Sequence, residues 1–480
     1  MSSTDLFALL PLLLLGGTPV AAMVAIAIRR SHGLTLGITL AGLAASFVSL
    51  WAVVPLAPRQ VTPLLILDRY ACFYIGLSIA AAFAVALFAF GYLQGQDNRR
   101  EEFYVLLLVA TLGSAVLVAS NHFASFFLGL EILSVSLYAL NAYLHARARP
   151  LEAGIKYLLL AASSAAFLLF GMALIYSELG TMDFSTLQAL LSGGANINWS
   201  LLLMGTALII TGFGFKLALV PFHLWTPDIY EGAPAPVSAF VATVSKGAVF
   251  ALLLRYFYHS DSYSMGAVPL IFTIIAIASM AVGNLLALLQ DNVKRLLAYS
   301  SIAHMGYLLV AFEAGGNRAA QAVTFYLTAY FITMLGAFGV VTLMSTSARD
   351  ADRLEDYRGL FWRRPGLALV FTAMLLSLAG IPLTAGFVGK FYVLASGTSS
   401  ALWTLVLVLV VTSVLGLFYY LRVVVTLFAE AREGAESSAL PSLRQAGGYV
   451  LIVLSVFLIG LGVYPAPLLS AIEKAVASLV

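Results

Sequence analysis

Four charged residues of this 480-residue chain stand inside long apolar stretches. Glu131 is the single acid in FASFFLGLEILSVSLYAL, and three lysines, Lys216, Lys246 and Lys390, occupy other apolar stretches. On insertion scales a central charge costs about 2.5–3.5 kcal/mol, so four would cost roughly 10–14 kcal/mol if they faced lipid. The four side chains must therefore face the protein interior, internal water or one another.

Buried acids and bases of this kind are suited to passing protons. Burial favours the neutral form of each group, and an approaching opposite charge favours the charged form. We therefore predict a relay in which Glu131 holds Lys216 charged until loss of that pairing sends the proton onward. A static buried ion pair that fixes helix packing is the alternative for Glu131, although one acid cannot neutralise three lysines.

Two histidines and a further lysine are supporting candidates. His223 and His304 carry side chains that titrate near neutral pH and can bridge the lysines through water. A hydrogen-bonded packing role is the alternative for each histidine. Lys156 falls near a helix end, where extension of the ammonium group to the membrane surface is the simpler explanation.

Two of the lysines share their stretches with glycine and proline. GFGFKLALVPFH begins at Gly212 and contains Lys216, and GIPLTAGFVGK begins at Gly380 and ends at Lys390. Because proline removes a backbone donor and clashes with the preceding turn, each helix is predicted to break here. Matching interrupted helices in two halves indicate a transporter ion site, since broken ends offer dipoles and free carbonyls. A kink that serves packing is the alternative.

The elements that position these residues are membrane-spanning helices. Hydrophobic residues make up 61% of the chain and charged residues 10%, against about 45–50% and about 25% in soluble domains, so lipid is the main solvent. Spanning helices need about 20 apolar residues, and fourteen segments qualify: 6–27, 35–57, 71–93, 103–120, 122–144, 154–178, 201–224, 235–258, 266–289, 296–314, 320–346, 365–392, 400–428 and 447–470.

The predicted fold is an all-α polytopic membrane protein with one antiporter-like domain over residues 1–480. The two interrupted helices lie five spans apart, which predicts two inverted five-helix repeats. The domain then divides into three N-terminal helices (1–102), a first repeat (103–258), a second repeat (259–430) and a C-terminal helix (431–480).

Basic loop residues are unevenly distributed between the two membrane sides. One side receives only Arg59, Arg69, Arg318 and Lys474. The other receives Arg29, Arg30, Arg99, Arg100, Arg147, Arg149, Lys294, Arg295, Arg349, Arg353, Arg358, Arg363, Arg364, Arg432 and Arg444. The positive-inside rule places this second side in the cytoplasm and both termini on the opposite side. Because the basic residues orient helices, the formal charge of +3 does not indicate a nucleic acid partner.

Sequence motifs for redox and nucleotide chemistry are missing. Cys72 is the single cysteine, and the chain contains no C-x-x-C, G-x-G-x-x-G or G-K-[ST] string. Redox centres, dinucleotides and ATP are therefore expected elsewhere.

Several strings carry a family resemblance, above all PFHLWTPDIYEGAP, together with QDNVKRLLAYSSIAHMGYLL and GIPLTAGFVGKFYVL. They resemble the antiporter-like membrane subunits of bacterial proton-translocating NADH:quinone oxidoreductase, respiratory complex I, and among these the subunit N family. Subunit L usually adds a long lateral helix and subunit M usually has glutamate where Lys390 stands. The resemblance implies a proton path through Glu131, Lys216, Lys246 and Lys390, with contributions from Lys156, His223 and His304.

The resemblance also implies a place in a larger enzyme. This chain would be a non-redox subunit of a translocase in the bacterial inner membrane, driven by quinone reduction elsewhere in the complex. NAD, FMN, iron–sulfur clusters and quinone would belong to other subunits, with no cofactor or metal here. Its partners would be M-like and K-like neighbours and the lateral helix of the L-like subunit.

Two other functions stay open on the sequence alone. One is a cation/proton antiporter subunit of the multisubunit Mrp type, which shares the fold and the buried lysines. The other is a structural subunit that braces the membrane arm without pumping, and the excess of buried lysines argues against it.

Overall fold

A computed structural model describes residues 2–94, 100–145, 147–192, 197–260, 266–346, 349–430 and 446–479. Arg99, Arg432 and Arg444 of the predicted cytoplasmic set lie outside these residues. The helices, in chain order, are α1 (Ser3–Ala8), α2 (Leu10–Ile28), α3 (His32–Val53), α4 (Arg69–Leu93), α5 (Glu102–Val118), α6 (Phe123–Asn141), α7 (Ala148–Leu179), α8 (Phe184–Ser192), α9 (Trp199–Leu217), α10 (Trp225–Gly232), α11 (Ala235–Phe240), α12 (Lys246–Ser260), α13 (Val268–Leu288), α14 (Val293–Ala314), α15 (Gly316–Met344), α16 (Leu360–Arg363), α17 (Pro365–Ala379), α18 (Ala385–Ser399), α19 (Trp403–Phe428), α20 (Ala446–Val463) and α21 (Ala466–Val476).

The predicted all-α polytopic architecture is confirmed. Every predicted span coincides with a helix or a broken helix. Within the described ranges, twelve helices are long and apolar enough to cross a membrane, and the apolar helices α5 and α17 are shorter, so the predicted count of fourteen is approximate. One short hairpin departs from the all-helical expectation: β1 (Arg59–Thr62) pairs antiparallel with β2 (Leu65–Leu67) in the loop before α4.

Both predicted helix interruptions are present. Helix α9 ends at Leu217, where Ala218 adopts a left-handed conformation with φ of 61°, and α10 begins only at Trp225. Helix α17 ends in the same way at Gly380, whose φ is 84°, and α18 begins after Thr384. A left-handed residue after the last turn is a common helix ending because it lets the orphan carbonyls find partners.

The eighth predicted span contains an irregularity that the sequence did not reveal. A π-helical turn, Val241–Ser245, lies between α11 and α12, so Lys246 is the first residue after the turn. The whole of Ala235–Phe257 is buried. Single π-helical turns inside α-helices occur frequently at functional sites, and this one sets the direction of the Lys246 side chain.

Close glycine contacts join matching helix pairs in the two predicted repeats. A Cβ at Gly113 of α5 would lie 2.5 Å from the Leu133 nitrogen of α6. A Cβ at Gly283 of α13 would lie 2.7 Å from the Ala303 nitrogen of α14. Small residues let membrane helices approach to backbone contact, and α5–α6 and α13–α14 both use this device.

A buried ion pair fixes the N-terminal helices to the first repeat. Asp68 caps the start of α4, accepting a hydrogen bond from the Ala71 nitrogen at 2.6 Å. Arg255 of α12 donates to the two Asp68 carboxylate oxygens at 2.7 and 2.9 Å, and both side chains are fully buried. Each charge has the other as its counter-charge and hydrogen-bond partner, which a charge needs in order to be buried.

Candidate functional site

Lys216 stands beside the helix that carries Glu131. Its Nζ donates to Ser134 Oγ at 2.6 Å, and Ser134 lies three residues after Glu131, on the same face of α6. Glu131 forms no ion pair with Lys216 within 4.0 Å, and Glu131 Oε1 has no hydrogen-bond partner among the described residues. The predicted acid and base are therefore neighbours without a direct salt bridge.

Aromatic side chains hold Lys216 at the end of α9. Its Nζ lies 5.4 Å from the centroid of the Tyr157 ring, within cation–π range. Trp225, the first residue of α10, packs on Tyr157 and donates from Nε1 to the Phe215 carbonyl at 2.8 Å. Lys216 also belongs to the last turn of α9, where the negative end of the helix dipole favours a cation.

Lys246 is fully buried and has a hydroxyl for a partner instead of a carboxylate. Its Nζ donates to Ser301 Oγ of α14 at 2.6 Å and lies 5.5 Å from the Tyr230 ring centroid. Tyr330 of α15 donates to the same Ser301 oxygen at 2.7 Å. Ser301 thus joins a lysine of the first predicted repeat to a hydroxyl of the second.

His304 continues the polar contacts one turn further along α14. Its Nδ1 lies 2.7 Å from the Tyr326 hydroxyl, and its Nε2 lies 3.1 Å from the Tyr420 hydroxyl. The Tyr420 hydroxyl also shares a hydrogen bond with Ser300. Because a hydroxyl both donates and accepts, either tautomer of the neutral imidazole can satisfy both contacts.

Lys390 reaches from α18 back to the broken end of α17. Its Nζ donates to the carbonyl of Ala379, the last residue of α17, at 3.1 Å and lies 5.1 Å from the Tyr307 ring centroid. Asn284 donates to the Tyr307 hydroxyl at 2.9 Å. Lys216 and Lys390 therefore occupy equivalent electrostatic positions, each at the negative end of an interrupted half-helix.

We call the set formed by Glu131, Lys216, Lys246, His304 and Lys390 the buried axis, in which Glu131 is partly buried and the other four are buried. Hydroxyl groups contact three of its members: Ser134 accepts from Lys216, Ser301 accepts from Lys246, and Tyr326 and Tyr420 contact His304. The axis crosses from α6 and α9 through α12 and α14 to α18, and thus passes through both predicted repeats.

Comparison with known proteins identifies the family of the chain. The family described as NADH:quinone oxidoreductase/Mrp antiporter, TM, matches residues 120–416. NADH-quinone oxidoreductase subunit N of Ectopseudomonas mendocina (strain ymp) is 51% identical over 482 residues, which cover 99% of this chain and 97% of that protein. The chain belongs to the NADH-quinone oxidoreductase subunit N family.

Solved structures place this subunit N family member in the same fold. A chain of respiratory complex I from Thermus thermophilus with bound aureothin is 34% identical, with a TM-score of 0.83 over 97% of this chain and 99% of that chain. A chain of the archaeal membrane-bound sulfane sulfur reductase is 26% identical, with a TM-score of 0.85 and coverages of 99% and 98%. A chain of the Mrp complex from Dietzia sp. DQ12-45-1b, at 21% identity, shares the fold, with a TM-score of 0.86 and coverages of 100% and 98%.

The remaining predicted residues of this subunit N family member lie apart from the buried axis. His223 is nearly buried in the break between α9 and α10, and its Nδ1 has no hydrogen-bond partner within the described ranges. Lys156 is partly exposed on α7 and forms ion pairs with Glu152 at 2.7 Å and Asp228 at 3.0 Å. Their roles in a proton path stay predictions.

Lys156 belongs to a network of ion pairs along the predicted cytoplasmic ends of the helices. Arg295 of α14 pairs with Asp228 at 2.8 Å and with Glu231 at 2.9 Å. Arg149 continues the network from Glu231 to Asp352, which lies 3.9 Å from Arg349. In the loop beyond, hydrogen bonds from Arg349 to Asp356 raise the pKa of this arginine. Asp228 and Glu231 come from the PDIYEG part of the motif that carries the family resemblance.

The tyrosines and serines of the buried axis were not predicted as site residues. Tyr326, Tyr330 and Tyr420 are compatible with ordinary packing when they are judged by residue type alone. A usable signal was present in YSSIAHMGY, because Ser300, His304 and Tyr307 follow one another at helical spacing on one face. For metals, the described parts of the chain contain no group of three or more His, Cys, Asp or Glu side chains placed to hold an ion.

Proposed function

We propose that this chain is the proton-translocating, non-redox membrane subunit of a NADH-quinone oxidoreductase, and that protons move along the buried axis. The observation that carries the proposal is the hydrogen bond from Lys246 to Ser301, one turn from His304. It joins Lys246 of the first predicted repeat to a hydroxyl of the second, on the helix that carries His304.

In this mechanism Glu131 controls the charge of Lys216. While the carboxylate is negative, it stabilises the protonated ammonium, which a buried site otherwise disfavours. When Glu131 is neutralised or drawn away, Lys216 releases its proton toward Lys246 through internal water and the surrounding hydroxyls. When Glu131 becomes negative again, it favours the charged form of Lys216, which then takes up a new proton.

His304 passes the proton between Lys246 and Lys390. A neutral imidazole accepts a proton at one nitrogen and releases the other proton from the opposite nitrogen, so one transfer reverses the tautomer. The two flanking tyrosine hydroxyls, on Tyr326 and Tyr420, contact opposite nitrogens. A turn of the imidazole ring about its Cβ–Cγ bond, which exchanges the two nitrogens between the tyrosine hydroxyls, restores the starting arrangement for the next proton.

The division into three N-terminal helices (1–102), inverted repeats (103–258 and 259–430) and a C-terminal helix (431–480) is part of the proposal. Matching helix breaks at Ala218 and Gly380 support it. The matching glycine contacts of α5–α6 and α13–α14 support it as well.

The place of the chain in the complex is part of the proposal, and family membership supports it. We assign NAD, FMN, iron–sulfur clusters and quinone to other subunits, and M-like and K-like subunits and an L-like lateral helix to its neighbours. The ion-pair network around Arg149, Arg295 and Arg349 supports a cytoplasmic location for that end. Both termini then lie on the opposite side of a bacterial inner membrane.

The test is replacement of Glu131 by Gln and, separately, Lys216 by Ala in the assembled complex. NADH:quinone activity and proton pumping are measured together in membrane vesicles, with Glu473→Gln as the control because Glu473 is an exposed acid away from the axis. We expect pumping to be lost in both variants at normal assembly and retained in the control. Full coupled pumping in both variants would refute the proposal.

The Mrp-type function is the second candidate, favoured only by the shared fold. It predicts sodium-dependent proton movement in vesicles without NADH. NADH-driven pumping that is unchanged by sodium would exclude it.

A further inference from the structure

A deep apolar groove lies on the surface of the molecule, outside the buried axis. It has a volume of about 1310 Å³ and is bounded by α3, α4, α15, α20 and α21. Its walls are apolar side chains such as Trp51, Phe73, Phe331, Phe457 and Leu468. Trp51 and Phe457 are 65% and 55% exposed, so the groove opens at the surface of the chain.

The length of the groove matches a membrane. Along α4 its lining runs from Arg69 to Leu87, which corresponds to about 27 Å at about 1.5 Å per residue. The hydrocarbon core of a bilayer is about 30 Å thick. The acyl chains of one leaflet span about half of the hydrocarbon core, about 15 Å, so a lipid held at the Arg69 end covers the half of the groove nearest the two cations.

The two charged residues of the lining are both cations and lie at the same end. Arg69 is the first residue of α4, and Lys474 is in the last turn of α21. The end of α21 is held at this place because Ser478 Oγ accepts a hydrogen bond from the Tyr70 nitrogen at 3.1 Å. Both cations are exposed, and neither has an ion-pair partner among the described residues.

Arg69 and Lys474 are two of the four basic residues predicted on this side of the membrane, and Arg318, outside the groove, likewise has no ion-pair partner among the described residues. Arg59, from the same small set of basic residues, is neutralised by Asp5 at 2.7 Å. Arg69 and Lys474 instead share the mouth of an apolar groove, at the level where lipid phosphates lie. Cations at the membrane surface attract anionic lipid head groups.

We propose that this groove binds an anionic diacyl phospholipid, with its phosphate between Arg69 and Lys474 and its acyl chains along α4 and α20. A purely apolar helix would fill the apolar part of the groove but leave the two cations without counter-charges. The phospholipid satisfies both features of the groove.

The bound lipid supports one wall of the buried axis. Phe331 lines the groove, and its ring packs so closely on Gly247 that a Cβ there would lie 2.3 Å from a ring carbon. Gly247 follows Lys246 directly. Acyl chains behind Phe331 therefore hold this ring against the backbone that positions Lys246.

The test uses the intact complex and a photoactivatable phosphatidylglycerol analogue, with a phosphatidylcholine analogue of the same chains for comparison. Labelled peptides are mapped by mass spectrometry. We expect the anionic analogue to label α4 and α20, and the Arg69→Gln/Lys474→Gln double variant to lower this labelling by at least about tenfold, the size expected when two cations beside a phosphate are removed. Arg318→Gln is the matched control, because Arg318 is an exposed cation outside the groove. The complex with this variant should be labelled to the same extent as the unaltered complex.

Ala80→Phe provides an independent variant, because Ala80 lines the apolar part of the groove. It should block labelling by both analogues while leaving Arg69 and Lys474 in place. Equal labelling by the two analogues in the unaltered complex would overturn the proposal. So would a cross-link from these groove residues to a helix of another subunit in place of the lipid.

Discussion

Lys246 Nζ lies 2.6 Å from Ser301 Oγ, and this contact joins the π-helical turn before α12 to the middle of α14. Tyr330 donates to the same oxygen. With two donors already bound to it, the Ser301 oxygen directs its own proton away from both. A lysine that loses its proton would reverse its own contact with Ser301, so the hydroxyl responds to the charge of Lys246.

Ser301→Ala tests this link. The substitution leaves the buried Lys246 ammonium without its acceptor, a loss of about 1–3 kcal/mol, so we expect proton pumping to slow by roughly tenfold. Pumping and NADH:quinone activity are measured in the same vesicles. Ser163→Ala is the control, because Ser163 is an exposed serine of α7 that only donates to its own helix. Unchanged pumping in Ser301→Ala would remove this hydroxyl from the path.

Lys390→Glu should alter pumping far more than Arg422→Lys. The first change places a negative charge against the Ala379 carbonyl at the negative end of α17, where a cation is favoured. The second keeps the positive charge of a side chain that donates to the Leu288 carbonyl at 3.1 Å. Both are compared by proton pumping per NADH oxidised. Equal and negligible effects would exclude Lys390 from the path.

His304→Phe should interrupt transfer without disturbing assembly. Phenylalanine keeps a ring beside Tyr326, which stacks on His304 at 5.8 Å, but cannot carry a proton. We expect pumping to fall by about tenfold to a thousandfold, the range that positioned proton-transfer groups provide. Assembly is checked on native gels. His122→Phe is the control, since His122 caps α6 away from the axis.

Gly113→Val should prevent the close contact of α5 and α6. The added side chain meets the Leu133 backbone, which cannot move aside as a flexible side chain would. Overpacking of this kind costs about 1–3 kcal/mol, so the yield and thermal stability of the complex should fall. Gly37→Val is the control, because a Cβ at Gly37 has nothing within 4 Å. Equal stability of the two variants would contradict the contact.

Asp68→Ala should be among the most destabilising single changes. It leaves the buried Arg255 guanidinium without its counter-charge, which costs about 3–5 kcal/mol. The double variant Asp68→Ala/Arg255→Leu should recover most of the lost thermal stability of the complex, because an apolar pair can replace a buried ion pair. No recovery in the double variant would show that the two residues act separately.

The sequence predicted the membrane fold and the inward placement of the four charged residues. Both depend on the free-energy cost of placing particular side chains in water or in lipid, which can be judged from each stretch of sequence alone. An apolar run of sufficient length needs a bilayer, and a charge within it needs the protein interior. Glycine with proline signalled the breaks after Leu217 and Ala379 in the same local way. These signals do not depend on knowing which helices touch.

Partners distant in the chain could not be read from the sequence. Arg255 and Asp68 are 187 residues apart, and their pairing depends on how α4 packs beside α12. From the sequence, Lys156 was interpreted as a lysine that extends to the membrane surface. Its ion pair with Asp228 depends on the position of α10 after the helix break, which the sequence does not give. The hydroxyl links of the axis were hidden because tyrosine and serine are also ordinary packing residues in membrane helices.

The Asp68–Arg255 pair makes the N-terminal helices and the first repeat interdependent in evolution as well as in folding. A shorter descendant that lost everything before α5 would retain a guanidinium sealed inside the protein with no anion to balance it. Residue 255 would have to change to an uncharged type in the same lineage. We therefore expect an uncharged residue at the position of Arg255 in any related chain that lacks the helices before α5.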